Sequence, residues 1–375
     1  MSLGALLVVI FIALAFNYIN GFHDTANSIA TVVATKVLTP SQAVMLAAIT
    51  NVLGALWGTA VARTIASGLI DAGLVNIGAE LMIGALLGAI IWNLVTWWRG
   101  LPSSSSHALV GGLCGAAVGV ANNNLDVIIW AHDPAQWWAG KGVIPKVIVP
   151  MVVSPLLGFI IAFVVMGGLF ALLAWFAERK GWLRRLGRTP FANAFFGKAQ
   201  LLSASAMGVS HGMNDAQKTM GIIALALVSA TSAGQLDDLP SWAGFLRIEG
   251  SLTGGFDIPT WIKVVCALVM AAGTAGGGWR IIKTLGHKMV KLHPINGFAA
   301  ETSAAAVIIA CSQMGLPVST THNVSCAIMG VGAAKRFSAI RWTVVERMVW
   351  SWVLTLPVTA LISYVLARLM HGLYV

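Results

Sequence analysis

Two acidic residues stand where acids are rare. Asp24 lies in Asn17-Tyr18-Ile19-Asn20-Gly21-Phe22-His23-Asp24-Thr25-Ala26-Asn27. Asp215 lies in Gly208-Val209-Ser210-His211-Gly212-Met213-Asn214-Asp215-Ala216-Gln217-Lys218. Both stretches sit inside strongly apolar sequence, where an ionisable side chain is a functional hypothesis by default. Asp24 with Asn27, and Asn214 with Asp215, offer hard oxygen donors that suit Na⁺, or a carboxylate that carries a proton. A buried Asp can also simply cap a broken helix, but here the arrangement occurs twice.

Each copy is followed by a hydroxyl-rich run, Leu101-Pro102-Ser103-Ser104-Ser105-Ser106-His107 and Leu316-Pro317-Val318-Ser319-Thr320-Thr321-His322. Helix starts present free N–H groups and a positive dipole end, which together favour an anion. The candidate ligands for a tetrahedral oxyanion are therefore Ser104, Ser105, Ser106, His107, Ser319, Thr320, Thr321 and His322, with Asn214 and Lys218. The two His can equally cap their helices, and Lys218 can touch the anion, pair with an Asp or snorkel to the interface. Glu301, in Ala299-Ala300-Glu301-Thr302-Ser303, is a further candidate for ion or proton coupling beside Asp24, Asn27 and Asp215. His23 and His211 carry less weight, and no transition-metal motif stands out.

These residues need membrane helices to hold them. Only 10% of the 375 residues are charged and mean hydropathy is +0.83, against about 25% charged residues in a soluble domain. The expectation is an all-α polytopic membrane protein with about 10–12 helical segments. The apolar segments run 3–38, 42–62, 79–98, 103–121 and 143–176, then 198–231, 260–280, 295–315, 317–334 and 343–370. Segments 3–38 and 198–231 are too long for one simple span and are expected to be broken or doubled. Pro145, Pro150 and Pro155 predict a kink or split in 143–176. No cleavable signal peptide is evident at the start.

The net charge of +10 does not imply nucleic acid, because the cations gather in loops as the positive-inside rule expects. Residues 178–197, with Arg179, Lys180, Arg184, Arg185 and Arg188, read as a basic cytoplasmic linker. It separates residues 1–177 from 198–375. Counting spans outward places Asp71, Asp126, Asp133, Asp237, Asp238, Glu249 and Asp257 outside and Lys283, Lys288, Lys291, Lys335, Arg336 and Arg341 inside. Both termini come out external. The first Asp motif is then entered from outside and the second from inside, so the halves are inverted-topology repeats, the plan of secondary transporters with a midplane site. The two Ser/Thr runs are either surface turns or tips of re-entrant hairpins, residues 79–121 and 295–334. The hydroxyl density favours tips, since freed backbone groups need partners.

Cys114, Cys266, Cys311 and Cys326 read as packing residues, and Trp97, Trp98, Trp137 and Trp138 as an interfacial belt. Gly54-x-x-x-Gly58 admits a homodimer through a small-residue face. Gly208-Val209-Ser210-His211-Gly212 matches a nucleophile-elbow pattern, but in the wrong context.

With these residues the chain resembles the inorganic phosphate transporter (PiT) family, whose halves each carry a Gly-x-Asn-Asp-x-Ala-Asn signature. Here the copies read Gly21-Phe22-His23-Asp24-Thr25-Ala26-Asn27 and Gly212-Met213-Asn214-Asp215-Ala216-Gln217-Lys218. The Ser/Thr-His runs match the family's hairpin motifs. Glu301 matches an acidic position whose first-half counterpart looks like Asn51. The resemblance implies symport of inorganic phosphate with Na⁺ or H⁺ across the cell membrane by alternating access, with no cofactor beyond the coupling ion and no enzymatic activity. It implies Asp24, Asn27, Asn214 and Asp215 near the cation and the phosphate, and hairpin hydroxyls on the phosphate oxygens. The alternatives are a sulfate symporter of the same architecture, an intramembrane hydrolase built on Ser210 or on a Ser beside His107, and a passive anion channel.

Overall fold

The computed structural model describes residues 2–131, 140–251 and 255–374, and Asp133, Trp137 and Trp138 lie outside them. The described residues are almost wholly helical. The first half holds α1 (Leu3–Ala34), α2 (Pro40–Ala55), α3 (Ala60–Ser67), α4 (Ala79–Arg99), α5 (Ser105–Val120) and α6 (Val149–Glu178). A short α7 (Trp182–Leu186) leads to α8 (Thr189–Ser232), α9 (Thr260–Gly276), α10 (Trp279–Lys283), α11 (Pro294–Gln313), α12 (Thr320–Lys335) and α13 (Trp342–Tyr374). Two-residue strands, Gly250–Ser251 and Gly255–Phe256, pair antiparallel in the loop before α9.

Among the described residues, five helical stretches are long and apolar enough to cross a membrane, and two bent pairs bring the total to seven. On α6 the exposed residues include Val152, Val153, Leu156, Leu157, Ile160 and Val164. Such a continuous apolar surface belongs against lipid rather than water.

The expected breaks lie elsewhere than the sequence suggests. α1 and α8 run unbroken for 32 and 44 residues through their Asp motifs, because side chains from other helices supply the carboxylates with partners. The bends fall instead between α2 and α3, at 69°, and between α9 and the helix beginning at Trp279, at 59°. Gly58 and Gly277 stand there with φ of +86° and +67°, a conformation that glycine reaches at low cost. The segment 143–176 does not split. A π-helical turn at Ile144–Ile148 carries Pro145, and Pro155 is absorbed inside α6. The linker 178–197 is shorter than expected, since α8 already begins at Thr189 with a Pro in its first turn, where no N–H is needed.

Helices of the two halves pack on one another. α2 lies along α8 while α9 lies along α1, and α5 lies along α13 while α12 lies along α6. The first crossing is a backbone-on-backbone fit. A Cβ on Gly212 would stand 2.1 Å from the Asn51 carbonyl oxygen, and one on Gly54 2.0 Å from that of Val209. The second repeats it: a Cβ on Gly21 would meet Met270 O at 2.3 Å and one on Gly273 would meet Tyr18 O at 2.1 Å. Gly54, expected on a dimer face, is therefore used inside the chain.

Candidate hairpin-tip ion site

The site is built where two helical hairpins, α4–α5 and α11–α12, meet the middles of α1 and α8. α5 and α12 are 16 residues each, short of the ~20 that span a bilayer. Ser104 caps α5 by accepting from His107 N at 3.2 Å, and Ser319 caps α12 by accepting from His322 N at 3.2 Å. The tips touch. Ser106 Oγ donates to Val318 O at 3.0 Å, and the His107 and His322 rings stand 4.9 Å apart. His322 also stacks on Trp352, centroids 4.2 Å apart. Residues Ser103 to His107 and Ser319 to His322 are all buried. Surface turns would leave such hydroxyls in water, so this burial favours re-entrant tips.

Among the described residues, Asp24 is met by hydroxyls and an imidazole. Ser105 Oγ donates to its Oδ2 at 3.0 Å and Thr321 Oγ1 to its Oδ1 at 3.3 Å, one hydroxyl from each hairpin. His23 Nδ1 lies 2.7 Å from Oδ1, and the far nitrogen of that ring lies 3.2 Å from Thr96 Oγ1. Asn27, one turn on, donates through Nδ2 to Thr320 Oγ1 at 3.1 Å and Thr321 Oγ1 at 2.9 Å.

Asp215 has a cation of its own chain. Lys218 Nζ donates to Asp215 Oδ1 and to Ser106 Oγ, and lies 3.4 Å from Val318 O. Thr320 Oγ1 donates to Asp215 Oδ2 at 3.1 Å, and His211 Nε2 stands 3.1 Å from the same oxygen. His211 in turn meets Asn51 Oδ1 through Nδ1 at 3.2 Å, and Asn51 Nδ2 donates to Thr274 Oγ1 at 3.0 Å. Lys218 is completely buried, so it does not snorkel.

One ligand atom from each of Asp24, His211 and Asp215 falls within 4.8 Å of the other two. Asn27 Oδ1 and Asn214 Oδ1 are buried with no hydrogen-bond partner among the described residues. Carboxylates beside free amide carbonyls form a donor set for a hard monovalent cation. Asn214 otherwise braces the second tip, donating to Ser312 Oγ at 2.9 Å and Leu316 O at 3.2 Å.

Glu301 forms a second buried acidic point. It accepts from Gln200 Nε2 at 3.0 Å and from the hydroxyls of Thr31 and Ser203, on α1 and α8. Among the described residues its hydrogen-bond partners all lie on α1 and α8, away from the tip hydroxyls. The expected counterpart Asn51 does not correspond to it. Glu301 lies on the hairpin helix α11, and the position at the same remove from the first tip is Leu86 on α4. Asn51 belongs to α2 and braces His211.

Ser210 lies within the unbroken α8 and donates to the Met207 carbonyl at 2.8 Å, so no nucleophile elbow forms. The four cysteines are free. The sequence underrated His211, although its i, i+4 spacing from Asp215 puts both on one helix face. It offered no signal for Gln200, Ser203 and Thr31, which are uncharged and far apart in the chain.

Residues 20–363 match the model of the phosphate transporter family. A "probable low-affinity inorganic phosphate transporter" of Rhizobium meliloti is 43% identical over 357 residues, 95% of this chain and 93% of that protein. One of the same name from Bacillus subtilis is 39% identical over 354 residues, 94% and 93% of the two chains. A solved structure titled "The sodium-dependent phosphate transporter" superposes over 100% of both chains, with a TM-score of 0.77 and 24% identity, a likeness of fold.

Proposed function

The chain belongs to the phosphate transporter family, and from that premise we propose that it is a secondary active transporter. It carries inorganic phosphate inward across the cytoplasmic membrane together with Na⁺ or H⁺, by alternating access. Family and relatives are transporters, not enzymes. The observation that carries the proposal is the convergence of two hydroxyl-bearing tips on two buried carboxylates.

That convergence supplies a coupling mechanism. Ser105 and Thr321 donate to Asp24, and Thr320 donates to Asp215. A cation arriving at Asp24 competes for the same oxygens and releases Ser105 and Thr321. Freed hydroxyls, with the N–H groups that open α5 and α12, then face an anion as donors. An anion without the cation would find its donors occupied and carboxylates beside it. A cation without the anion would leave buried hydroxyls unpaired, which costs about 1–3 kcal/mol each. Each ion therefore favours the other, as symport requires. Glu301, away from the tips, serves as a further ion or proton point on the same helices.

The two halves act as inverted repeats, with the basic linker in the cytoplasm and both termini outside. The cross-packing of α2 on α8 and α9 on α1 supports this reading. The hairpins are the elements that would move against the rest.

The test is uptake of labelled phosphate into proteoliposomes holding the purified protein, under a Na⁺ gradient, a pH gradient or neither, with excess sulfate as competitor. Uptake driven by one gradient, resistant to sulfate and lost in Asp24→Asn, is expected. Uptake of sulfate instead of phosphate, or equal uptake without any gradient, would overturn the proposal.

A further inference from the structure

We infer that the Lys218 ammonium is a permanent cation built into the second half, so that the two tips hold a single mobile cation, at Asp24 and Asn27, with each phosphate, Glu301 standing apart from them. The inference rests on the symport reading above and goes beyond it to the number and place of the coupling ions.

Asn27 and Lys218 occupy the same place, three residues after the Asp of their motif on α1 and α8. The groups around Lys218 Nζ are those of an alkali-cation site: the Asp215 carboxylate, the Ser106 hydroxyl and the Val318 backbone carbonyl. They come from α8 and from both tips, the same elements that would have to close around a bound ion. An ammonium has three N–H donors and no acceptor. All three find oxygen here, so none is left aimed at an anion.

The first half differs. Asp24 is met by hydroxyls and an imidazole, and Asn27 Oδ1 has no hydrogen-bond partner among the described residues. Asp215 already has the Lys218 ammonium against it, whereas Asp24 has hydroxyls and an imidazole, so Asp24 is the carboxylate at the tips left to take a mobile cation.

The decisive variant is Lys218→Asn, which rebuilds in the second half the side chain of the first. Purified wild-type and variant proteins are compared in proteoliposomes for the steepness of phosphate uptake against the driving cation and against Na⁺. The expected order is about one for wild type and about two for Lys218→Asn, the count of independent cation sites setting the upper limit. In detergent, Na⁺ should raise the melting midpoint of Lys218→Asn more than that of wild type, because binding only to the folded state stabilises it. The double variant Asp215→Asn/Lys218→Met, with no unpaired buried charge, should keep an order of about one, since it creates no new site.

Unchanged steepness in Lys218→Asn together with an unchanged Na⁺ response of its midpoint would overturn the inference. So would loss of phosphate binding in Lys218→Asn at saturating cation, which would make Lys218 an anion ligand. Absence of phosphate uptake in wild type, with the extra Na⁺ stabilisation of Lys218→Asn intact, would sink the transport reading while supporting the built-in cation.

Discussion

The two halves set an Asp at the same point of the same helix and then treat it differently. Around Asp24 every partner is neutral or titratable: Ser105, Thr321 and His23. Around Asp215 the partners include a full ammonium at no solvent exposure, alongside Thr320 and His211. The difference shows that two similar arrangements can share their packing while their charge diverges. Packing depends on glycines and helix crossings, which both halves retain. Charge depends on one side chain per half, Asn27 or Lys218.

The strongest way to break the comparison is to remove one carboxylate at a time. Asp215→Asn strands the Lys218 ammonium, and breaking a buried pair from one side costs about 3–5 kcal/mol. Asp24→Asn takes a carboxylate acceptor away from the neutral donors Ser105 and Thr321, about 1.5–3 kcal/mol. Melting midpoints in detergent should therefore fall further for Asp215→Asn, and adding Lys218→Met should restore much of that loss. Equal midpoints for the two single variants would mean the halves are electrostatically alike after all.

Glu301 sharpens the contrast, because the first half offers only Leu86 at that place. Glu301→Gln perturbs three hydrogen bonds, each worth about 0.5–1.5 kcal/mol. Phosphate binding, measured by equilibrium dialysis, should survive, and gradient-driven uptake should fall. Equal loss of both would place Glu301 in the anion site.

The packing side of the comparison predicts likeness. Gly21→Ala and Gly212→Ala each drive a Cβ into a backbone carbonyl, and overpacking of this kind costs about 1–3 kcal/mol. Their midpoints should drop by similar amounts, whereas a large disparity would show that the two crossings differ. The smallest effects belong to single hydroxyls. Ser105→Ala and Thr320→Ala should each weaken phosphate affinity about fivefold, the equivalent of roughly 1 kcal/mol, read from the concentration dependence of uptake.

Much of the site was legible beforehand for one reason: charged and hydroxyl residues are conspicuous in apolar sequence. Asp24, Asp215, Glu301, Lys218 and both Ser/Thr-His runs stand out on that ground alone. The partners that orient them do not. Thr96, Asn51, Gln200 and Ser203 are ordinary polar residues on membrane helices, distinguished only by what packs beside them. The expected break inside α1 and α8 failed for a related reason. A carboxylate in apolar sequence suggests an opened backbone when its neighbours are unknown, and the neighbours turned out to be side chains.

The sequence by itself determined that this chain lives in a membrane, that its chemistry is duplicated, and that the second copy carries an extra positive charge. Those are properties of composition and order, and no fold can change them. Tertiary structure alone decided that Ser105 and Thr321, one from each hairpin, share the Asp24 carboxylate, the second of them 297 residues away along the chain. It also decided that Lys218 faces three oxygens rather than lipid or water. Contacts of that range follow from how whole helices cross, and crossing is set by close backbone fits such as Gly212 on Asn51, not by any local preference of the residues that finally meet.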